Sequence, residues 1–476
     1  MKFLPLVMLC WVCVGAIPLQ ADELFRFPPG FLWGTATAAH QVEGNNSGND
    51  WWAWEQVPGH VRNNDRSGLA CDHYARFSQD LSLARQMGHN AYRFSIEWAR
   101  LEPEPGRFDE AEVAHYRAVL ESCRANGLVP MVTLFHFTLP KWVADRGGWE
   151  SPETVQLFSR YAEFAGRRFG DLADWWCTIN EPVVYLGAGW VKGVFPPQKQ
   201  DWKLAMKVMA NLARGHVEAY RALKRCDRSD ADGDGRSSLV SIADHLRVFD
   251  PARGWNPLDQ VAARVADYVF NRAFLKAITK GRLTVTAPQV PYVNEAIPGG
   301  TQCLDFLGIN YYSRDLIKFD PRVPGTFQPT IPEGAPVSDL GWELYPEGFY
   351  RVLMDAWRRY RLPIVVTENG LADAADTKRV AFLRSHLQAM ARAMQDGVPV
   401  LGYMHWSLLD NFEWAEGFAP RFGLLTIDYA TQERKPTKAA AYYSEVIRTG
   451  AIDLTPGSES WAAPGPSEDE PRSNAR

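Results

Sequence analysis

The stretch Val366-Thr367-Glu368-Asn369-Gly370, together with Thr178-Ile179-Asn180-Glu181-Pro182, decides how the chain is to be read. Each places a carboxylate directly after a short apolar run rich in β-formers. The run is Pro363-Ile364-Val365-Val366 in one case and Trp175-Trp176-Cys177-Thr178-Ile179 in the other. A turn residue follows, Gly370 two positions on or Pro182 at once. Apolar runs of this kind suit strands buried in a parallel sheet, so each Glu stands at a strand's C-terminal end. Taken singly, either Glu is equally well explained as the first solvated residue after a strand; its neighbours in the sequence tell against that.

Outward from these two strands the chain alternates strand-like and helix-like segments with no compositional break from Phe31 to about Leu454. The other strand candidates are Phe31–Gly34, Asn90–Ile96, Val129–Phe135, Leu239–Ala243, Phe306–Asn310 and Val400–Trp406. Between them the periodicity predicts helices over Ala111–Asn126, Pro152–Phe169, Trp202–Lys224, Pro257–Ile278, Pro346–Tyr360 and Ala375–Asp396, with Gly127 and Gly397 placed to stop two of them. Eight strands alternating with helices predict an α/β fold, a single (β/α)8 TIM barrel with long βα loops over residues 22–454. A doubly wound sheet is the alternative, but no Gly-x-Gly-x-x-Gly or phosphate-cradling loop follows the first strand. Barrel geometry then places Gln41, His136, Glu181, Tyr312, Glu368 and Trp406 on one rim.

Composition narrows the function. A formal charge of −5 lacks the basic field that a nucleic-acid partner requires, while 18 Trp, 17 Tyr and 24 Phe supply aromatic platforms that suit sugar better than phosphate. Lys2, the apolar run Phe3–Ile17 and the small-residue end near Ala21 read as a signal peptide over residues 1–21, implying a secreted or periplasmic protein. An uncleaved anchor or an overextended start are the alternatives, and a cytoplasmic location follows if the segment is not a functional signal. No later segment is long and apolar enough for stable membrane insertion. Cys71, Cys123, Cys177, Cys226 and Cys303 have neither metal-ligand spacing nor a disulfide pattern, and Cys177 reads as a buried small hydrophobe. Asp230, Asp232 and Asp234 followed by Gly235 imitate a calcium loop, but its twelfth position is Ser241, which leaves an acidic solvent loop as the competing reading. The tail, residues 455–476, is low-complexity and predicted to be disordered.

Two carboxylates across a barrel mouth are what glycosidic hydrolysis needs: an acid to protonate the leaving oxygen and, in the retaining mode, a nucleophile about 5 Å away. Glu181 is the expected acid/base, with Trp175, Trp176 and Pro182 keeping water from it and the Glu368 charge raising its pKa. Glu368 is the expected nucleophile, kept ionised by Arg93, read as ending the second strand, and by the Tyr312 hydroxyl. Gln41, His136 and Asn180 offer donors for sugar hydroxyls, with Asn180 placed for a 2-hydroxyl. Glu413 can accept from two vicinal hydroxyls while Trp406 or Trp414 stacks on the sugar face.

These motifs identify a resemblance. Phe31–Thr37, Gln41–Gly44, Tyr92–Ile96, Thr178–Pro182, Asn310–Tyr312, Gly341–Glu343, Thr367–Gly370 and Trp406–Trp414 occur in the order found in glycoside hydrolase family 1, the retaining β-glucosidase family, which the chain resembles from Phe27 to Val446. The resemblance implies Glu181 as acid/base and Glu368 as nucleophile, with Arg93, Asn310 and Tyr312 around the latter. It implies Gln41, His136, Asn180, Glu413, Trp406, Trp414 and Phe422 in the glycone subsite, and Trp342 on the aglycone side. It also implies small-molecule substrates, β-glucosides and cello-oligosaccharides, and no cofactor. Where members acting on 6-phosphosugars carry a phosphate site, this chain has the acidic Glu413-Trp414-Ala415-Glu416, so a neutral glycone is expected. Two departures, His136-Phe137-Thr138 for His-Trp-Asp and His40 for a frequent Tyr, loosen the choice among glucose, galactose and fucose. Transglycosylation and a catalytically inactive sugar-binding barrel are the competing functions.

Overall fold

The computed structural model describes residues 24–323 and 327–455. The expected signal segment, and the tail beyond Thr455, lie outside these residues. Eight parallel strands close into a barrel: β1 Leu32–Ala36, β2 Ala91–Ser95, β3 Val129–Phe135, β4 Trp175–Asn180, β5 Leu239–His245, β6 Leu307–Asn310, β7 Ile364–Asn369 and β8 Val400–Trp406. They lie side by side in chain order, and β8 pairs with β1 to complete the ring. The strands are almost wholly buried because side chains on both faces are covered, which is why they read as continuous apolar runs rather than alternating ones.

A helix follows each strand: α1 His73–Gln86, α2 Glu110–Ala125, α3 Glu153–Phe169, α4 Trp202–Cys226, α5 Pro257–Asp267, α6 Pro346–Tyr360, α7 Arg379–Gln395 and α8 Lys438–Thr449. Their starts are chemically specified. Asp109, Asp201, Asn256 and Thr437 each accept backbone N–H bonds of the first turn of α2, α4, α5 and α8. The run predicted as one helix from Pro257 is interrupted: a wider turn at Tyr268–Arg272 links α5 to a second segment, Ala273–Lys280. Helix α7 starts at Arg379 rather than Ala375, because Asp373 accepts the Lys378 and Arg379 N–H groups and so sets the first turn.

Ala91, Met131, Trp175, Cys177, Ala243, Val365 and Met404 form a cluster inside the barrel, while a larger apolar layer joins the strands to the helices. The long βα loops carry strands of their own. Val248–Pro251, Arg314–Phe319 and Phe327–Thr330 form one small sheet beyond β5 and β6, and Leu425–Asp428 pairs with Glu433–Pro436 beyond β8. At the rim, β7 and β8 approach so closely that a Cβ on Gly370 would lie 1.8 Å from the Trp406 carbonyl oxygen; only glycine fits there. No helix among the described residues is long and apolar enough to cross a membrane.

Candidate active site

Glu181 leaves β4 and enters the short helix Pro182–Leu186 in a left-handed conformation, φ +42° and ψ 60°. For a residue other than glycine this costs on the order of 1–3 kcal/mol. Its neighbours hold it there. The Glu181 N–H donates to the Ala243 carbonyl at 2.7 Å, and its carbonyl accepts from the Tyr185 N–H at 3.0 Å. The carboxyl is buried; Oε1 accepts from Asn310 Nδ2 at 2.9 Å and lies 3.4 Å from His245 Nδ1.

Glu368 lies within β7, one residue before its end, and both of its oxygens are held. Oε1 accepts from Arg93 Nη1 and Oε2 from the Tyr312 hydroxyl, each at 2.6 Å. Arg93 is the third residue of β2 rather than its last, and its side chain is fully buried in the barrel. From there its guanidinium braces three other strands. Nε donates to Thr133 Oγ1 on β3 at 3.1 Å and Nη2 to Asn180 Oδ1 on β4 at 2.6 Å, while Nη1 also reaches the Thr367 carbonyl on β7 at 3.1 Å. Asn310, expected beside Glu368, is oriented by the Thr367 hydroxyl, which donates to its Oδ1 at 2.6 Å, and it gives its amide to Glu181.

Burial raises the pKa of both carboxyls, and they titrate as an interacting pair. Glu181 is pushed well above the ordinary range, first by desolvation and then by the Glu368 charge. In Glu368 desolvation is opposed by Arg93, by Tyr312 and by Asn310. The first proton therefore leaves Glu368, and the second stays on Glu181 to higher pH. One group is set to give up a proton while the other is an anion.

A second set of residues gathers beside this pair. Gln41 sits on the short helix Ala39–Val42 beyond β1. Its Nε2 donates to Asn411 Oδ1 at 3.0 Å, to the Phe412 carbonyl at 2.9 Å and to Glu413 Oε2 at 3.3 Å. Glu413 is pushed up to about 8 by desolvation and by the Glu368 charge, against the hydrogen bonds of Gln41 and Trp406. His136 Nε2 contacts Asn180 Nδ2 at 3.2 Å, and its ring lies between the indoles of Trp406 and Trp414, with centroids at 5.9 and 6.0 Å. Gln41 Oε1 and His136 Nδ1 are buried with no partner in the protein. Buried polar atoms without partners are uncommon, and two on residues gathered beside the carboxyl pair suit a polyhydroxylated ligand. Tyr312, half-buried Trp342 and Phe422 form an aromatic group on the other side, with Trp342 5.5 Å from the Tyr312 ring and 6.4 Å from Phe422.

All thirteen residues singled out in the sequence thus join the barrel mouth or its supports, but some of the reasons differ from those expected. Trp175 and Trp176 do not shield Glu181. At about 3.3 Å per residue they lie roughly 16–20 Å down β4, where Trp175 packs on Phe306 and Trp176 donates to Asp227. His245 was missed because β5 runs two residues beyond Ala243, its expected end, and so brings His245 to the rim. Asn411 and Thr133, too, act through tertiary contacts that carry no local signal. Thr138 donates to both Glu97 oxygens, at 3.2 and 3.0 Å, and Phe137 packs on Trp414 at 5.2 Å. In the acidic loop it is Asp174 that joins Asp230 and Asp232, with Asp234 outside the group. Asp174 there accepts the Ala231 and Asp232 N–H groups, and Asp230 those of Gly233, Asp234 and Gly235, so the carboxylates shape the loop itself.

Comparison with known proteins identifies the family. The model for glycosyl hydrolase family 1 matches residues 24–451. The chain is 33% identical to beta-glucosidase A of Thermotoga maritima over 90% of its own length and 99% of the relative's, and 32% identical to a beta-galactosidase of Pyrococcus woesei over 90% and 98%. Among solved structures it resembles a beta-glycosidase from Pyrococcus horikoshii with a TM-score of 0.81 at 37% identity, covering 90% of this chain and 96% of the other. The family 1 glucosidase of Thermotoga maritima in complex with isofagomine lactam gives a TM-score of 0.83 at 33% identity, over 90% and 100%. With the match running through the whole barrel and the relatives aligned over nearly their full length, the chain belongs to glycosyl hydrolase family 1.

Proposed function

We propose that the protein is a retaining exo-β-glycosidase that removes terminal β-D-glucosyl residues from small β-glucosides and cello-oligosaccharides. The observation that carries this reading is the unequal support of the two buried carboxyls: Glu368 is held by Arg93 and Tyr312 at 2.6 Å each, while Glu181 has the neutral Asn310 amide at 2.9 Å and His245 Nδ1 at 3.4 Å. In the first step a Glu368 oxygen bonds to the anomeric carbon as the glycosidic bond breaks, and the Glu181 proton passes to the leaving oxygen. In the second, Glu181, now a carboxylate, takes a proton from water. The water oxygen bonds to the anomeric carbon, and the ester to Glu368 breaks, restoring the nucleophile. Two displacements at one carbon return the β-configuration.

Asn180, fixed by Arg93, meets the 2-hydroxyl, and Gln41, His136 and Glu413 take the outer hydroxyls. Trp406 is the better platform for the sugar face, since it shares a cluster with Tyr312 and Phe422, whereas Trp414 is committed to Trp51, Phe137 and Phe195. Trp342 borders the aglycone. The relatives named as a beta-glucosidase and a beta-galactosidase support a second, broader glycone range. Comparing kcat/KM on aryl β-glucoside, β-galactoside, β-fucoside and β-mannoside tests the glycone. The expected result is highest turnover of the glucoside, and a clear preference for another sugar overturns that assignment. NMR of the first-formed sugar tests the chemistry; β-product is expected, and α-product excludes double displacement. The amino-terminal segment supports export, which sequencing the mature N-terminus tests: a start near Asp22 is expected, and an intact Met1 on an unexported chain rejects it.

A further inference from the structure

Outside the barrel, α5 and α6 diverge over the strand Val248–Pro251 and leave a cleft of about 540 Å³. None of the residues placed at the barrel mouth lines it. Its charge opposes that of the whole protein. The chain carries a formal −5, yet Arg247, Arg264, Arg272, Arg351, Arg358 and Arg359 line this cleft against only two carboxylates, Asp267 and Asp355.

The arginines are unequally satisfied. Asp267 pairs with Arg272 and Asp355 with Arg359, which accounts for both acids of the lining. Arg247 pairs with Asp315 and Arg351 with Asp250, neither of which lines the cleft. Arg264 on α5 and Arg358 on α6 are exposed and paired with no carboxylate among the described residues. The Nε–H groups of Arg247 and Arg272 are buried without an acceptor. A guanidinium N–H withdrawn from solvent with nothing to donate to is unfavourable. Those two Nε–H groups are closed to the cleft as well as to bulk water, so what the cleft offers a ligand is the uncompensated guanidinium groups of Arg264 and Arg358, and two such charges suit an acceptor bearing more than one negative oxygen.

We propose that this cleft is a binding site for a small multivalent anion of the phosphate or sulfate class, separate from the glycoside site. Guanidinium forks match tetrahedral oxyanions in two-point contacts, and Arg264 and Arg358 reach the cleft from facing helices.

The test is calorimetric titration of the full-length protein with inorganic pyrophosphate and, separately, with sulfate, in 150 mM sodium chloride so that general screening is held constant. Saturable binding of pyrophosphate with Kd below about 1 mM is expected, weakened at least about tenfold by Arg264→Glu/Arg358→Glu through loss of charge-assisted contacts. The single variants Arg264→Gln and Arg358→Gln should each weaken it less. Both positions are exposed, and neither Arg264 nor Arg358 makes an ion pair with a residue placed at the barrel mouth among the described residues, so turnover of an aryl β-glycoside should be unchanged; that readout also shows that the variants fold. Sulfate binding alone assigns the site to sulfate esters, and pyrophosphate binding alone to phosphates, both within the proposal. No saturable binding of either anion, equal binding by wild type and double variant, or displacement of the anion by glucose overturns it.

Discussion

Replacing Tyr312 by Phe removes one oxygen and, with it, one of the two groups that hold Glu368. The ring contacts to Trp342 and Phe422 survive, so the loss is confined to the 2.6 Å bond from the hydroxyl to Oε2. A hydrogen bond to a charged partner is worth about 1.5–3 kcal/mol. Two effects of that size follow. First, the ionised nucleophile loses its orientation, and kcat/KM at the optimum should fall roughly 10- to 150-fold, since about 1.4 kcal/mol is a factor of ten. Second, because the bond favours the anion, losing it should raise the pKa of Glu368 by about one to two units. In wild type the pH profile should be a bell with its acidic limb set by Glu368 and its basic limb set by Glu181. The variant's acidic limb should therefore move to higher pH, narrowing the bell from below. The assay is kcat/KM for an aryl β-glucoside from pH 4 to pH 9. A large loss of rate with an unmoved acidic limb would refute the claim that Tyr312 acts on the ionised nucleophile.

Other expectations follow from single contacts. Asn310 donates to Glu181 and favours its ionised form, so Asn310→Ala should raise the Glu181 pKa and move the basic limb upward; a downward shift contradicts the assigned donor. Glu413 is pushed to about 8, so below that pH it is mostly neutral in the free protein. Glu413→Gln should then raise KM less than Glu413→Ala does near pH 6, the alanine losing two neutral hydroxyl contacts that together are worth about 1–3 kcal/mol, or roughly five-fold or more in KM; equal effects count against this. His89 is fully buried, with neither ring nitrogen partnered and its pKa lowered to about 3 by desolvation. The unfolded chain binds a proton there below about pH 6.5 and the folded chain does not, so stability is lost as pH falls from that value towards 3. His89→Leu removes this term, and its stability relative to wild type should be about 2 kcal/mol more favourable at pH 5 than at pH 8 by chemical denaturation; no pH dependence of the difference refutes it.

The strands were legible because burial on both faces makes them continuous apolar runs, and every expected strand lies in the barrel with its end shifted by at most two residues. That small shift mattered once. Ending β5 at Ala243 concealed His245, which comes within 3.4 Å of Glu181. The two glutamates were legible for a local reason, a carboxylate between an apolar run and a turn. Arg93 was found for its charge but misplaced at a strand end, since nothing local tells a rim residue from one buried deeper. The error over Trp175 and Trp176 has the same origin, because adjacency in a strand is distance along the barrel. The Arg93 brace to Thr133 and Asn180 and the cleft between α5 and α6 depend on how separate elements meet, and no single stretch of sequence encodes that.

The central claim is that Glu368 bonds to the anomeric carbon, and Glu368→Gly tests it most directly. Glycine leaves a space where the carboxylate stood while Glu181 remains in place. Hydrolysis of an aryl β-glucoside should be almost abolished, and added azide should restore turnover by attacking from the vacated position to give the α-glycosyl azide, identified by NMR. A variant that keeps full activity, or one that azide does not rescue, contradicts the account.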